Sequence, residues 1–191
     1  MNPTDEALMA QVREGDLRKL AILFERHHRR VFNFFVHMTG DRDKSEDLAQ
    51  EVFFRMLRYR SSYDDRRSFA AWMYQIARHL HTDQAQRRKG ELQLVTADSE
   101  EESMPNEPRS SELDAEETLR KRQEVVLLKR ALERLPGDKR EILVLSRFQD
   151  LKYEEIARIL GCEIGAVKVR VYRAVRALGD MYRELAGERA S

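Results

Sequence analysis

Helix breakers are scarce in this chain: 8 glycines and 4 prolines are spread over 191 residues. So few interruptions leave room for long helices and little else. The single cysteine, Cys162, excludes an internal disulfide and fits a reducing compartment, pointing to the cytoplasm. It reads as a small residue at a turn, not as a nucleophile or sensor. No apolar run approaches the length that spans a bilayer, and Met1-Asn2-Pro3-Thr4-Asp5-Glu6 does not read as a signal peptide. No membrane insertion is therefore expected. Histidines are few as well. His27-His28 and His79-x-His81 are the only clusters, without metal-ligand spacing, so no metal or other cofactor is expected. Asp64-Asp65 is the only close carboxylate pair outside the helical and linker stretches, and no ligand set accompanies it. A surface turn explains it better than a catalytic centre, and no catalytic residue is assigned.

What the chain has in quantity is charge, 36% of its residues, and the net +1 hides how it is segregated. Residues 1–97 carry net +3, residues 98–117 net −8, and residues 118–191 net +6. Two mildly basic blocks joined by an acidic strip suggest two domains able to approach an anionic polymer. The strip bears prolines and almost no large apolar residues, which describes a flexible linker over 93–117 that turns helical towards its end.

The pattern predicts an all-α protein of two small helical domains, 1–92 and 118–191. Asp5 to Met38 reads as one helix with Leu17, Leu20, Phe24, Val31 and Phe35 inward. Asp43, with Glu46 three residues on, has the form of an N-cap opening a second helix. That helix buries Leu48, Val52, Met56 and Tyr59 and exposes a polar side including Asp47, Gln50 and Glu51. After the polar connector Ser61–Ser68, a third helix runs from Phe69 to about Arg88, with Phe69, Trp72, Met73, Ile76 and Leu80 inward. Its other face shows Tyr74, Gln75, Arg78, His79, His81, Thr82 and Gln86. Rings, amides and cations on one face suit single-stranded nucleic acid, which needs stacking surfaces and phosphate neutralisation. An ordinary solvated face accounts for the same pattern equally well.

Beyond the linker, a helix from about Thr118 buries Val125, Leu128, Leu132 and Leu135, and Pro136-Gly137-Asp138 stops it, Asp138 capping the next. From Tyr153 the pattern is two helices with a tight turn. Ile156, Ile159 and Leu160 recur at helical spacing, and Gly161 is the natural left-handed stop. A second stripe follows in Val167, Val171, Ala174 and Leu178, leaving Lys168, Arg170, Tyr172, Arg173 and Arg176 outside. A short helix, a glycine turn and a basic second helix fit a helix-turn-helix that lays its second helix in the DNA major groove. The alternative is a buried helical hairpin with a solvated basic face.

Three motifs in order resemble a bacterial RNA polymerase sigma factor of the extracytoplasmic-function type. Asp47-Leu48-Ala49-Gln50-Glu51-Val52-Phe53 resembles the helix by which such factors dock on the polymerase β′ clamp. Phe69-Ala70-Ala71-Trp72-Met73-Tyr74-Gln75-Ile76-Ala77-Arg78 resembles the segment that opens and reads the −10 element. Leu132-Glu133-Arg134-Leu135-Pro136 and the Tyr153–Leu178 block resemble the domain that reads the −35 element.

The resemblance implies core polymerase, through its β′ clamp helices and β flap, as one partner. It implies promoter DNA, duplex at −35 and single-stranded at −10, as another, and an anti-sigma factor as a third. Asp47, Gln50, Glu51 and Phe54 match the polymerase-binding positions. Tyr63, Asp64, Arg67 and Ser68 match the loop that holds a flipped −10 base. Beneath them Trp72, Tyr74, Gln75, Arg78 and His79, then Arg87 and Arg88, complete the −10 set. Tyr153, Glu154, Lys168, Val169, Arg170, Tyr172, Arg173 and Arg176 match positions that meet −35 DNA. Three departures stand out: Glu163 where the family often has Pro, Ala166 and Val169 where it has Ser or Thr, and His79 where it has Asn. A transcriptional regulator with a sensing N-terminal half would explain the helix-turn-helix as well, but not the first two motifs.

Overall fold

A computed structural model describes residues 3–92 and 115–190, all of it helix and connecting turns, with no strand among the described residues. Most of the acidic linker, up to residue 114, lies outside them; residues 115–117 already belong to a helix.

The first unit is four helices. α1 (Asp5–Arg13) starts where the Thr4 hydroxyl accepts a hydrogen bond from the Ala7 N–H at 3.2 Å. One helix from Asp5 to Met38 does not form. Gly15 adopts φ +111° and breaks the chain, and α2 (Arg18–Thr39) follows at a new angle. The break also turns the buried stripe. Leu23, His27, Val31, Phe34, Phe35 and Met38 face the core, while Leu17 and Phe24, expected inside, are exposed. α3 (Arg42–Arg58) is capped by Asp41, not Asp43: the Asp41 carboxylate accepts from the Lys44 N–H at 3.0 Å. Such a cap contributes about 1 kcal/mol. Leu48, Val52 and Met56 are buried as expected; Tyr59 lies past the last turn and is exposed.

A single 3₁₀ turn (Arg60–Ser62) and a loop lead to α4 (Phe69–Leu92). The first turn of α4 is satisfied twice over: Ser68 Oγ accepts from the Ala71 N–H, and the Glu6 carboxylate of α1 accepts from the Phe69 N–H at 3.1 Å. The buried stripe expected on α4 is only half its burial. Phe69, Met73, Ala77 and Leu80 pack inward, but Ala71 and Tyr74 are buried too, and Trp72 and Ile76 only half so.

The second unit comprises α5 (Ala115–Arg134), α6 (Gly137–Leu143), a π turn (Val144–Phe148), α7 (Tyr153–Leu160) and α8 (Ile164–Ala190). On α5, Leu127, Ala131 and Leu132 are inside, whereas Val125 and Leu128 are exposed. α6 has no side-chain cap from Asp138; its N-cap is Pro136. Gly161 takes φ +63°, and Val167, Val171 and Ala174 of α8 fill the angle against buried Ile156 and Ala157 of α7.

The two units share one apolar core: buried residues from α1 through α8 form a single contiguous cluster. Arg140 of α6 helps close it. Its guanidinium donates to the carbonyls of Leu132, Glu133 and Leu135 at the end of α5, and to Met38 O near the end of α2 at 3.0 Å. One cation thus satisfies the orphan carbonyls of two helix ends from opposite units.

Candidate polymerase and nucleic-acid interface

α3 buries Leu48, Ala49, Val52, Phe53 and Met56 on one side, so the residues on its opposite side point outward. Asp47, Gln50 and Phe54 are exposed, Phe54 to 59%. Glu51 is half-buried and paired with Arg55 at 3.0 Å, and Arg55 also reaches Asp83 of α4 at 3.3 Å. Glu46 is engaged by His28 at 2.9 Å. The carboxylate and the ring this face offers to a partner are therefore Asp47 and Phe54, with Gln50 between them. An exposed phenylalanine beside a carboxylate offers an apolar anchor and a site for a cation, the pairing a basic helical partner requires.

The Ser61–Ser68 loop is less open than its composition suggests. Tyr63 is buried, its ring 5.0 Å from that of Trp72, while Arg13 of α1 donates to the Tyr63 carbonyl at 3.0 Å. Burial, with Glu6 and Asp65 nearby, pushes the Tyr63 phenol above its ordinary range. Asp64 accepts from the Arg66 N–H and pairs with Arg67 at 3.4 Å; both charges remain accessible. Under the loop Asp5 receives Arg26 and His27. Burial opposes its ionisation, but their hydrogen bonds outweigh it and hold the carboxyl below its usual range.

The face of α4 carrying Tyr74, Gln75 and Arg78 packs against the second unit, Tyr74 buried and Gln75 and Arg78 half-buried, contrary to its sequence pattern. Tyr74 is 2% exposed and its hydroxyl donates to Gln149 Oε1 at 2.5 Å. Gln75 donates to the Arg158 carbonyl at 2.9 Å, and Arg78 pairs with Glu141 at 3.1 Å. Ser68 Oγ donates to Glu155 at 2.5 Å. All four partners belong to the second unit. His79 is exposed, and His81 is half-buried. For Arg87 and Arg88 the helix is described but not the side chains.

On α8 the outward set is where the pattern puts it. Lys168, Val169, Arg170, Tyr172, Arg173 and Arg176 are all exposed, Tyr172 to 63%. No carboxylate occurs between Ile164 and Gly179, so the first four turns expose Lys168, Arg170, Arg173 and Arg176 with only Ile164, Val169, Tyr172 and Val175 as large apolar side chains among them. Such a face attracts phosphate and places side chains in reach of base edges. Tyr153 and Glu154 open α7 beside it, Tyr153 half-buried and Glu154 exposed.

A four-helix first unit and a helix-turn-helix second unit define the class: the chain is a sigma-70 family protein. The Sigma-70 region 2 family model matches residues 23–91, and the model for Sigma-70, region 4 matches residues 121–178. The chain is 32% identical to the ECF RNA polymerase sigma factor EcfG of Rhodopseudomonas palustris, covering 74% of this chain and 72% of that one. It is 29% identical to the ECF RNA polymerase sigma factor SigW of Bacillus subtilis over 92% of this chain and 95% of that one. Among solved structures, the Bartonella quintana sigma factor RpoE bound to the anti-sigma factor NepR superposes with TM-score 0.71. It covers 87% of this chain and 98% of that one, at 24% identity, and supports the fold. Within the sigma-70 family the chain belongs to the extracytoplasmic-function sigma factors. It therefore works with core RNA polymerase in promoter-specific initiation of transcription, as an initiation factor. The region 2 match removes the alternative of an N-terminal sensing domain. Among the described residues no helix is long and apolar enough to cross a membrane.

The residues that sequence reasoning missed are Glu141, Gln149, Glu155 and Arg140. Nothing in their local pattern marks their contacts with the first unit, because those partners are 63 to 102 positions away.

Proposed function

We propose a division of labour along the chain. Residues 1–92 bind core polymerase and read the −10 element; residues 118–191 read the −35 element. Asp47, Gln50 and Phe54, with Glu51 behind its Arg55 pair, dock on the β′ clamp helices, and the second unit meets the β flap. Lys168, Arg170, Tyr172, Arg173 and Arg176 enter the −35 major groove. Tyr153 and Glu154 approach the edge of the same duplex. Asp64, Arg67, Ser68 and α4 residues Tyr74, Gln75, Arg78 and His79 engage the opened −10 strand, continued by Arg87 and Arg88. Tyr63 and Trp72 act beneath them as a packed aromatic floor.

The observation that carries this reading is the carboxylate-free, exposed basic face of α8 behind the left-handed Gly161 turn. The protein does no covalent chemistry. Binding energy from core polymerase and two DNA elements offsets the few kcal/mol per base that strand opening and flipping require. It acts in the cytoplasm, on the nucleoid when polymerase-bound. An anti-sigma factor holds it in check; support comes from the Bartonella quintana sigma factor, whose solved structure is a complex with the anti-sigma factor NepR.

Run-off transcription with core polymerase tests the whole: added protein redirects initiation to specific promoters, and failure to do so on any template refutes it. Charge reversal by Asp47→Lys with Glu51→Lys weakens core binding about tenfold, an interface-charge effect. Duplex-DNA binding by the same variant stays intact in a gel-shift assay.

A further inference from the structure

The outward side of α8 is not uniform. Buried Val167, Val171 and Ala174 mark its inner stripe, and the line farthest from them runs Gly165, Val169, Tyr172, Arg176. Lys168 and Arg170 leave the helix on either side of that line, where phosphates stand when a helix lies in a groove. A recognition helix meets base edges chiefly with its N-terminal residues. The first turns of α8 offer Gly165, half-buried Ala166 and Val169 there, and none of the three carries a side-chain donor or acceptor. Val169 is nevertheless 46% exposed, an apolar side chain held in water amid a cationic surface.

Gly165 bears on how closely that surface can approach DNA. A Cβ added there would meet nothing within 4 Å, so the space in front of the first turn is open. Valine is short, and its methyls reach base edges in the major groove only if the backbone comes close. A glycine one turn earlier, with alanine beside it, removes the side chains that would hold the backbone off. The apolar group a base pair presents in the major groove is the C5-methyl of thymine. Taking that methyl and the exposed side of Val169 out of water together is favourable, and valine strips no donor or acceptor of its own from solvent. Cytosine instead presents its amino donor in the groove, and valine has nothing to pair with it.

From this arrangement we infer that Val169 is a specificity-determining residue: it reads one thymine of the −35 duplex through the C5-methyl group. Lys168 and Arg170 bind phosphate whatever the sequence, and the valine between them discriminates. The inference rests on the functional reading above, in which α8 lies in the −35 major groove.

The test selects a randomised library of fully paired duplexes on the full chain bound to core polymerase. Each thymine of the enriched sequence is then replaced, one at a time, by deoxyuridine, which lacks only the C5-methyl. At one thymine the replacement should weaken binding by the unmutated chain about fourfold, the effect of one buried methyl. Val169→Ala, checked for helical circular dichroism, loses a similar factor on the thymine duplex and no longer distinguishes thymine from uracil at that position. Its loss is the same at low and high salt, because no phosphate contact changes. Tyr172→Ala, the neighbouring ring on the same line, weakens binding but keeps the preference. The valine contact is overturned if the unmutated chain discriminates at no position, if Val169→Ala still discriminates at every one, or if only Tyr172→Ala abolishes the preference. Failure to enrich any duplex sequence refutes the functional reading along with it, whereas enrichment without thymine–uracil discrimination refutes the valine contact alone.

Discussion

α4 and α8 draw on the same side-chain vocabulary, arginines, a tyrosine and polar groups on one face, yet one face is covered and the other is bare. The difference lies in charge density. α8 presents Lys168, Arg170, Arg173 and Arg176 within little more than two turns, with no carboxylate among them, and no surface of the second unit can neutralise so many at once. The covered face of α4 has one cation, Arg78, among Ala71, Tyr74 and Gln75, and a single carboxylate suffices to hold it half-buried. A lone cation beside aromatic and amide groups can be packed against a protein surface with one counter-charge; a row of cations cannot. The dense basic face of α8 is thus presented to solvent, whereas the sparsely charged face of α4 packs against the second unit.

The comparison breaks most sharply at α8. Removing two cations by Lys168→Ala with Arg173→Ala lowers duplex-DNA affinity about tenfold or more at roughly 0.1 M salt. It also flattens the slope of log affinity against log salt by roughly two. Arg78→Ala leaves duplex binding by the free protein unchanged, since that guanidinium is already occupied. Equal losses in filter binding would erase the distinction between the helices.

A subtler contrast sets two tyrosines against each other. Tyr74→Phe strips the Gln149 carbonyl oxygen of its donor and destabilises the fold by about 1–2 kcal/mol in urea unfolding. Tyr172→Phe, on a residue 63% exposed, stays within about 0.5 kcal/mol. A reversed ranking would place the buried contact on the wrong helix.

The smallest effect is one of pH. His37 lies under Phe148, ring centroids 4.2 Å apart; burial, and then Lys129 of α5, lowers its pKa. His81 of α4 is lowered in the same direction by burial, Arg140 and Lys44. Both favour the neutral ring in the packed state. Their contribution to stability is therefore complete above the ordinary histidine pKa of about 6.5 and is lost as pH falls through the lower folded values. Glu141, whose carboxyl is raised by burial, works the opposite way, gaining a proton more readily when packed. Thermal unfolding compared between about pH 7.5 and about pH 5.5 should show destabilisation on the acid side. His37→Gln with His81→Gln should reduce that loss.

Much of the architecture was legible residue by residue. The Gly161 turn, the α8 stripe of Val167, Val171 and Ala174, and the outward basic set follow from helical spacing and one left-handed glycine. The inward set of α3 followed in the same way except for Tyr59, which lies past the last turn and is exposed. The errors share a cause. Gly15 is a stop signal as clear as Gly161, but the apolar pattern on both sides favoured one continuous helix. Asp41 and Asp43 are equally good caps on paper, and the chain's approach from Gly40 selects the first. Val125 and Leu128 suit a buried stripe, yet α5 turns Leu127 and Ala131 to α8 instead.

Sequence alone determined the helical class, the exposed polar face of α3 and the bare basic face of α8. These depend on periodicity and on charges too dense to bury, and both are local properties. Tertiary structure decided the fate of α4. Whether Tyr74, Gln75 and Arg78 meet water or protein depends on partners 63 to 83 residues away, Glu141, Gln149 and Arg158. No local pattern encodes such a pairing, because a helix face with one charge and several neutral polar groups is stable in either place. Only the geometry of the second unit chooses between them.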